Sequence, residues 1–194
     1  MGKLVEFRTI DLPELLLVGK EIRHSMEEQM KGSNPLPGLW DRCFGDGTFE
    51  ALEKQRGFSY NPLCVSNDNQ KLNCKKKKCN HCKHPYIGVM IDWDKGDGDF
   101  SYIVGMFMKP GAEIPEGFFS RKLDSVKVAV GWIEGKDVQD VCSNAHELTE
   151  QALKSNGFGN SSMKWCAEVY NCPRFTAPGE NGEIILDYYI PIDL

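Results

Sequence analysis

The sequence of 194 residues lacks any apolar run long enough to span a membrane. The first apolar stretch covers only residues 15–19 and lies between charged residues, whereas a spanning helix needs about 20 consecutive apolar residues. The N-terminal region therefore also lacks the apolar segment of a secretory signal peptide. We expect a protein that stays in the cytoplasm and does not insert into membranes.

The chain also lacks an excess of positive charge. It has 23 Lys and Arg against 28 Asp and Glu, which gives a net charge of −5. Because nucleic acids are bound through basic surfaces, we expect no general nucleic-acid binding, and the lysine run at residues 75–78 is expected to be solvated. The contents of hydrophobic (41%) and charged (26%) residues are ordinary for a folded globular protein, and the length suits a single domain over residues 1–194.

Cysteine, in contrast, is abundant, with eight residues. In a cytoplasmic protein these are free thiols or metal ligands more often than disulfides. Four of them fall in one segment, residues 59–85, where a Cys-x-x-Cys pair is typical of a metal knuckle. The segment predicts a structural zinc site, and a loop of unpaired thiols or a redox pair are the alternatives. The predicted zinc ligands are Cys64, Cys74, Cys79 and Cys82.

The hydrophobic pattern of the first half predicts strand, helix, strand, strand. Residues 3–10 and 15–22 indicate two extended runs or one bent strand, interrupted by a turn with Pro13. Residues 39–54 indicate a kinked or two-part helix, and residues 86–93 and 100–108 form the clearest hairpin in the sequence. The first repeat thus covers residues 3–109, with the cysteine-rich segment as an insertion.

The same order of elements recurs in the second half, over residues 118–194. A strand at 124–134 precedes a helix at 138–155, and the stretches 165–171 and 183–192 form a second hairpin. A fixed order that occurs twice indicates duplication. We therefore predict an α+β fold in which two strand-helix-strand-strand halves form one antiparallel sheet, with two helices and a central ligand groove. We expect the halves to pair through their first strands.

Glu168 stands out because it interrupts an apolar strand. Alternation along the strand places Glu168 and Tyr170 on one face, and Ala167 and Val169 on the other. A glutamate in this setting either faces solvent or marks a functional site. A carboxylate surrounded by aromatic rings favours cationic ligands. The aromatic residues expected around it are Trp40, Trp93, Tyr102, Trp132, Tyr170 and Tyr188.

Several stretches together resemble the GyrI-like small-molecule-binding family, which also supplies the effector-binding domain of multidrug-responsive AraC-type and MerR-type regulators. They are ELLLVGKEIRHS, LWDRCFGDG, YIGVMIDWD with FSYIVGMFM, and WCAEVYN with EIILDYYIPI. The most specific piece is Glu168-x-Tyr170 followed by the strand at residues 189–192. The resemblance covers nearly the whole chain except about 59–85 and 173–182. Since a strand opens the sequence, it resembles the stand-alone members and not the regulators.

The resemblance implies three functions. In the first, the groove binds hydrophobic aromatic or cationic small molecules through its central glutamate and so sequesters or detoxifies drugs or toxins. In the second, a hydrolase of cyclopropane-type alkylating compounds uses Glu168 as base and Tyr170 or Tyr102 as proton donor. In the third, the domain is a protein-interaction module such as a gyrase inhibitor. The residues suit the first two equally, and no protein partner is indicated.

Overall fold

A computed structural model describes residues 1–63, 85–93 and 98–193 of the chain. The four predicted zinc ligands, Cys64, Cys74, Cys79 and Cys82, and the lysine run at 75–78 lie outside these ranges. Within them, no helix is long and apolar enough to cross a membrane.

The first half begins with two separate strands, because Pro13 interrupts the run between them. The predicted two-part helix is confirmed: Gly47 adopts a left-handed conformation (φ 83°), and the Asp46 carboxylate accepts a hydrogen bond from the Thr48 N–H at 2.9 Å, which starts the second part. The elements are β1 (Lys3–Leu12), β2 (Leu15–Ser25), α1 (Met26–Met30), α2 (Leu36–Gly45), α3 (Thr48–Glu53), β3 (Tyr86–Ile91) and β4 (Asp99–Met108).

The second half repeats this order with its own helix pair. The single helix predicted at 138–155 is two helices, because Asn144 leaves the helical conformation (φ −135°, ψ 15°). The Asp137 carboxylate caps the first of them by accepting from the Asp140 N–H at 2.8 Å. The elements are β5 (Phe119–Leu123), β6 (Val126–Gly135), α4 (Val138–Ser143), α5 (Ala145–Ser155), β7 (Gly159–Asn160), β8 (Trp165–Tyr170) and β9 (Ile184–Asp193).

The described strands form one antiparallel sheet in the order β1-β6-β9-β8-β3-β4-β2-β5, with β7 pairing to β9. Each half contributes three adjacent strands, β3-β4-β2 and β6-β9-β8, and one outer strand that is exchanged: β1 pairs with β6, and β5 pairs with β2. The pairing of β1 with β6 joins the first strands predicted in the two halves, as expected. The halves also meet at β3 and β8 in the centre of the sheet.

The two faces of the sheet are buried differently. One face buries a single apolar cluster that includes Leu17, Ile87 and Val169. On the other face, α2 and α3 pack on β2 and β4, while α4 and α5 pack on β6 and β9. The helix pairs therefore cover the outer parts of the sheet, and the central strands β3 and β8 are left as the floor of a groove.

Candidate ligand-binding groove

The groove between the two helix pairs has a volume of about 1390 Å³. Small-molecule sites commonly measure roughly 300–1,000 Å³, so the space accommodates a ligand of drug size. Glu168 lies at its floor on β8, on the same face as Cys166 and Tyr170, while Ala167 and Val169 belong to the cluster on the opposite face. The alternation predicted along this strand is therefore confirmed.

The Glu168 carboxylate is half-buried and is held by two phenols. Its Oε2 atom accepts hydrogen bonds from Tyr102 Oη at 2.6 Å and from Tyr170 Oη at 2.8 Å. Burial raises the pKa of Glu168, and these bonds oppose the rise because they stabilise the ionised form. Glu168 was expected either to face solvent or to mark a functional site, and the structure places it inside the groove.

The hydrogen bonds depend on a glycine that sequence reasoning missed. Gly88 on β3 pairs directly with Glu168 on β8. A Cβ atom at residue 88 would lie 2.1 Å from Tyr102 Oη and 2.7 Å from Glu168 Oε2. Gly88 therefore makes room for the bond between phenol and carboxylate. The available signal was a glycine in the interior of an otherwise apolar strand.

Trp40 on α2 connects the first helix pair to this arrangement. Its Nε1 donates to Tyr102 Oη at 3.1 Å, and its ring meets Tyr170 edge-on at 4.9 Å between centroids. Because a phenol has one proton, the donor from Trp40 leaves the Tyr102 proton for Glu168. The three predicted residues Trp40, Tyr102 and Tyr170 thus meet around the carboxylate.

Further aromatic rings extend the walls beyond the predicted set. Tyr86 stacks on Phe49 at 3.7 Å between centroids and donates to Glu53 at 2.7 Å. Phe44 lies on the same side and is 60% exposed, while Phe175 meets Tyr170 edge-on at 4.6 Å. Phe44, Tyr86 and Phe175 all line the groove and add apolar surface to its walls. Phe175 comes from the 173–182 loop, for which the sequence offered no pattern.

The wall formed by the second half is polar and contains thiols. The predicted residue Tyr188 lines it, together with His146, Cys142 and Cys166. Burial raises the pKa of Cys142, and it raises that of Cys166 to about 12. Both thiols are therefore protonated near neutral pH and are weak nucleophiles.

The described lining of the groove carries acidic side chains but neither lysine nor arginine. The acidic residues are Asp41 and Glu168. Aromatic ring faces also carry negative potential. The groove thus favours a positively charged ligand.

Two residues predicted to join the site lie elsewhere. Trp132 shares a strand face with Val128 and Val130, which belong to the opposite cluster, and the guanidinium carbons of Arg8 and Arg174 lie 4.4 Å from its ring. Trp93 follows the end of β3 and packs at the margins of both helix layers. Neither tryptophan lines the groove.

The metal prediction stays open. Across residues 1–63, 85–93 and 98–193, no group of three or more His, Cys, Asp or Glu side chains has an arrangement that could hold a metal ion. The predicted ligands Cys64, Cys74, Cys79 and Cys82 fall in the remaining part of the chain.

Comparison with known proteins identifies relatives of this architecture. A family model described as "GyrI-like small molecule binding domain" matches residues 6–193. Among curated protein sequences, none matches the chain.

Solved structures share the fold at low sequence identity. One match is the structure of SAV2435 bound to tetraphenylphosphonium, whose sequence is 18% identical to this chain. The match has a TM-score of 0.66 and covers 97% of this chain and 94% of SAV2435. A bacterial transcription regulation protein from Staphylococcus aureus MU50 is 17% identical with a TM-score of 0.64, covering 97% and 99%. The EcmrR C-terminal domain is 10% identical with a TM-score of 0.50, covering 97% of each chain.

Proposed function

Because this chain belongs to the GyrI-like family of small-molecule-binding domains, we propose that its groove binds hydrophobic aromatic cations, with Glu168 as the ionic contact. The observation that carries the proposal is the Glu168 carboxylate, which two phenols hold at the floor of an aromatic groove. The tetraphenylphosphonium bound to SAV2435 is an aromatic cation and supports the same ligand class.

The electrostatics favour a cation over a neutral or anionic ligand. At an effective dielectric constant of about 20, a cation roughly 6 Å from Glu168 gains about 3 kcal/mol of Coulomb energy. Ring faces such as those of Trp40 and Tyr170 add roughly 0.5–2 kcal/mol when a cation lies over them. An anion would meet repulsion from the same groups. We infer that binding without chemical change serves to sequester such compounds.

A hydrolase acting on alkylating compounds remains the second candidate. The pairing of Glu168 with the phenols of Tyr102 and Tyr170 supplies a base beside two proton donors, which is the arrangement that ring opening by water would use. Under this reading, Glu168 takes a proton from the water that attacks a cyclopropane carbon. The ring C–C bond breaks, its electron pair passes to the conjugated carbonyl oxygen, and a phenol donates to the oxyanion that develops there.

Titration with tetraphenylphosphonium by isothermal calorimetry tests the binding proposal. Glu168→Gln preserves the size of the side chain and removes its charge, so affinity should fall by roughly 30- to 150-fold, which corresponds to about 2–3 kcal/mol. Glu147→Gln is the matched control, because Glu147 is exposed on α5 and does not line the groove. Equal affinities for the wild type and Glu168→Gln would refute the proposal.

Product analysis of the same complexes with an alkylating cyclopropane compound separates the two candidates. Wild-type protein that binds the compound and returns it unchanged is a binder. If the wild type converts the compound and Glu168→Gln does not, the protein is a hydrolase. Loss of general-base catalysis should lower the rate by about 10²–10⁴-fold.

A further inference from the structure

A second polar arrangement lines the groove apart from the phenols that hold Glu168. On the second-half wall, His146 Nδ1 lies 3.3 Å from Tyr188 Oη, and Tyr188 Oη donates to Cys166 Sγ at 2.9 Å. The rings of His146 and Tyr188 meet at 88° with centroids 5.8 Å apart, which fixes the plane of the imidazole. His146 is exposed on α5 at the groove, and Tyr188 is buried.

The single phenolic proton of Tyr188 determines which nitrogen of His146 carries hydrogen. Tyr188 Oη donates its proton to Cys166 Sγ, so that proton is not available to His146 Nδ1. The phenol oxygen then accepts from Nδ1–H, and the neutral ring keeps its lone pair on Nε2. Because the two nitrogens diverge across the ring, Nε2 points away from Tyr188.

The imidazole is neutral near physiological pH. Desolvation lowers the pKa of His146, Lys154 acts in the same direction, and Glu150 on the same helix opposes them. A neutral ring with Nδ1 already engaged has one remaining function for a ligand, which is to accept a hydrogen bond at Nε2.

Tyr188, which positions this acceptor, is next to the ionic contact. Tyr188 on β9 and Glu168 on β8 are direct cross-strand partners, and such partners have Cβ atoms roughly 4.5–5.5 Å apart. Both side chains line the groove. A flat aromatic cation held over Glu168 therefore lies within reach of the imidazole that Tyr188 positions.

We propose that His146 Nε2 is a second ligand contact, which selects aromatic cations carrying N–H groups, such as amino- and amidino-substituted rings, over fully alkylated cations of the same shape. The inference rests on the proposed function, since it needs the cation to occupy the groove. Glu168 supplies the attraction for charge, and His146 distinguishes among cations by their hydrogen-bond donors.

Two acridinium dyes provide a matched pair of probes. Both dyes are used with a methyl group on the ring nitrogen, which keeps the charge and removes the ring N–H. Proflavine in this form carries two amino groups, and acridine orange carries two dimethylamino groups and no N–H on the same three-ring cation. Affinities of both are measured by fluorescence titration in slightly alkaline buffer, for the wild type, His146→Phe, His146→Gln and Glu168→Gln. Phe keeps the ring contact with Tyr188 and removes both nitrogens, while Gln restores an acceptor oxygen.

The informative quantity is the proflavine-to-acridine-orange affinity ratio, compared between proteins so that the difference in dye size cancels. It should fall about 5-fold in His146→Phe, the effect of one hydrogen bond worth about 1 kcal/mol, and recover at least partly in His146→Gln. Melting temperatures should stay close to the wild type, because His146 is exposed on its helix.

A ratio that is the same in the wild type and His146→Phe would overturn the inference, as would a ratio that rises. In either case, loss of affinity for both dyes in Glu168→Gln would leave the proposed function standing. If both dyes bind and Glu168→Gln alters neither affinity, the proposed function fails, whatever the ratio does. Failure of both dyes to bind overturns both. Nitrogen-15 spectra of ligand-free protein add an independent test, because hydrogen on Nε2 contradicts the assignment.

Discussion

One methyl group added at Gly88 should disturb the hydrogen bonds of Glu168 without changing any charge. The new Cβ would lie 2.1 Å from Tyr102 Oη and 2.7 Å from Glu168 Oε2, closer than real Cβ atoms approach other atoms. Tyr102 is held by Trp40 at 3.1 Å, so it cannot retreat without loosening that bond as well. Gly88→Ala should therefore break the bond from Tyr102 to Glu168.

The expected magnitude follows from the lost bond. A hydrogen bond to a charged group is worth roughly 1.5–3 kcal/mol, and 1.36 kcal/mol corresponds to one pH unit in a pKa. Burial already raises the pKa of Glu168, and loss of a donor to the ionised form raises it further. Cation binding needs the ionised form, so the pH of half-maximal affinity should rise by about one pH unit. Overpacking should also lower the free energy of unfolding by about 1–3 kcal/mol.

The assay is tetraphenylphosphonium affinity measured from acid to neutral pH, with thermal unfolding in parallel. Gly38→Ala is the control, because residue 38 lies on the groove-lining helix α2 and an added Cβ there has nothing within 4 Å. It should leave the pH profile unchanged. If Gly88→Ala has the pH profile of Gly38→Ala, the phenol bond does not control the charge of Glu168, and the reasoning fails.

Three further changes have defined outcomes. Burial raises the pKa of Glu168 above its ordinary value, so the folded state disfavours the ionised carboxylate. Glu168→Gln should therefore raise the melting temperature at alkaline pH, and this gain should vanish as the pH falls toward 4.5. A gain that is the same at every pH would contradict this reasoning. Arg174→Ala leaves the buried Asp187 without its bidentate partner and should cost about 3–5 kcal/mol in chemical denaturation, whereas a cost below 1 kcal/mol would show that the pair is dispensable. Elemental analysis of the purified protein should find about one zinc ion per chain, and both Cys79→Ser and Cys82→Ser should lose this zinc. If wild-type protein prepared without chelators contains no metal, the site is excluded.

Local patterns predicted the parts of the fold that depend on neighbouring residues. Alternation along β8 placed Glu168 and Tyr170 on one face, because side chains on a strand alternate regardless of its partners. The two hairpins followed from apolar runs separated by turn residues. These inferences depend only on residues that are close to one another in the sequence.

Most pairings between distant strands were not predictable in the same way. The strand β5 was not predicted, because it is a short edge strand with little apolar alternation, and nothing in it indicates that it pairs with β2 of the other half. The joining of the halves through β3 and β8 follows from which edges the exchanged strands occupy. Such choices are made between segments far apart in sequence.

The aromatic residues show the same limit at the site. Trp40, Tyr102 and Tyr188 line the groove, whereas Trp132 faces the opposite cluster, although all four were predicted from residue type. An aromatic side chain can be buried either in a core or in a pocket, so residue type alone does not show on which face of the sheet the ring lies. The contact of His146 with Tyr188 arises only when α5 packs on β9, so the sequence of the helix alone does not indicate it.

A crystal structure of the complex with tetraphenylphosphonium would show whether Glu168 is the ionic contact. We expect the cation to lie in the groove over the Glu168 carboxylate, with ring centroids of Trp40 or Tyr170 within about 6 Å of the phosphorus-bound rings. Tyr102 and Tyr170 should still donate to Glu168. A cation bound elsewhere, such as against Trp132 on the opposite side of the sheet, or a Glu168 side chain turned away from it, would contradict the account.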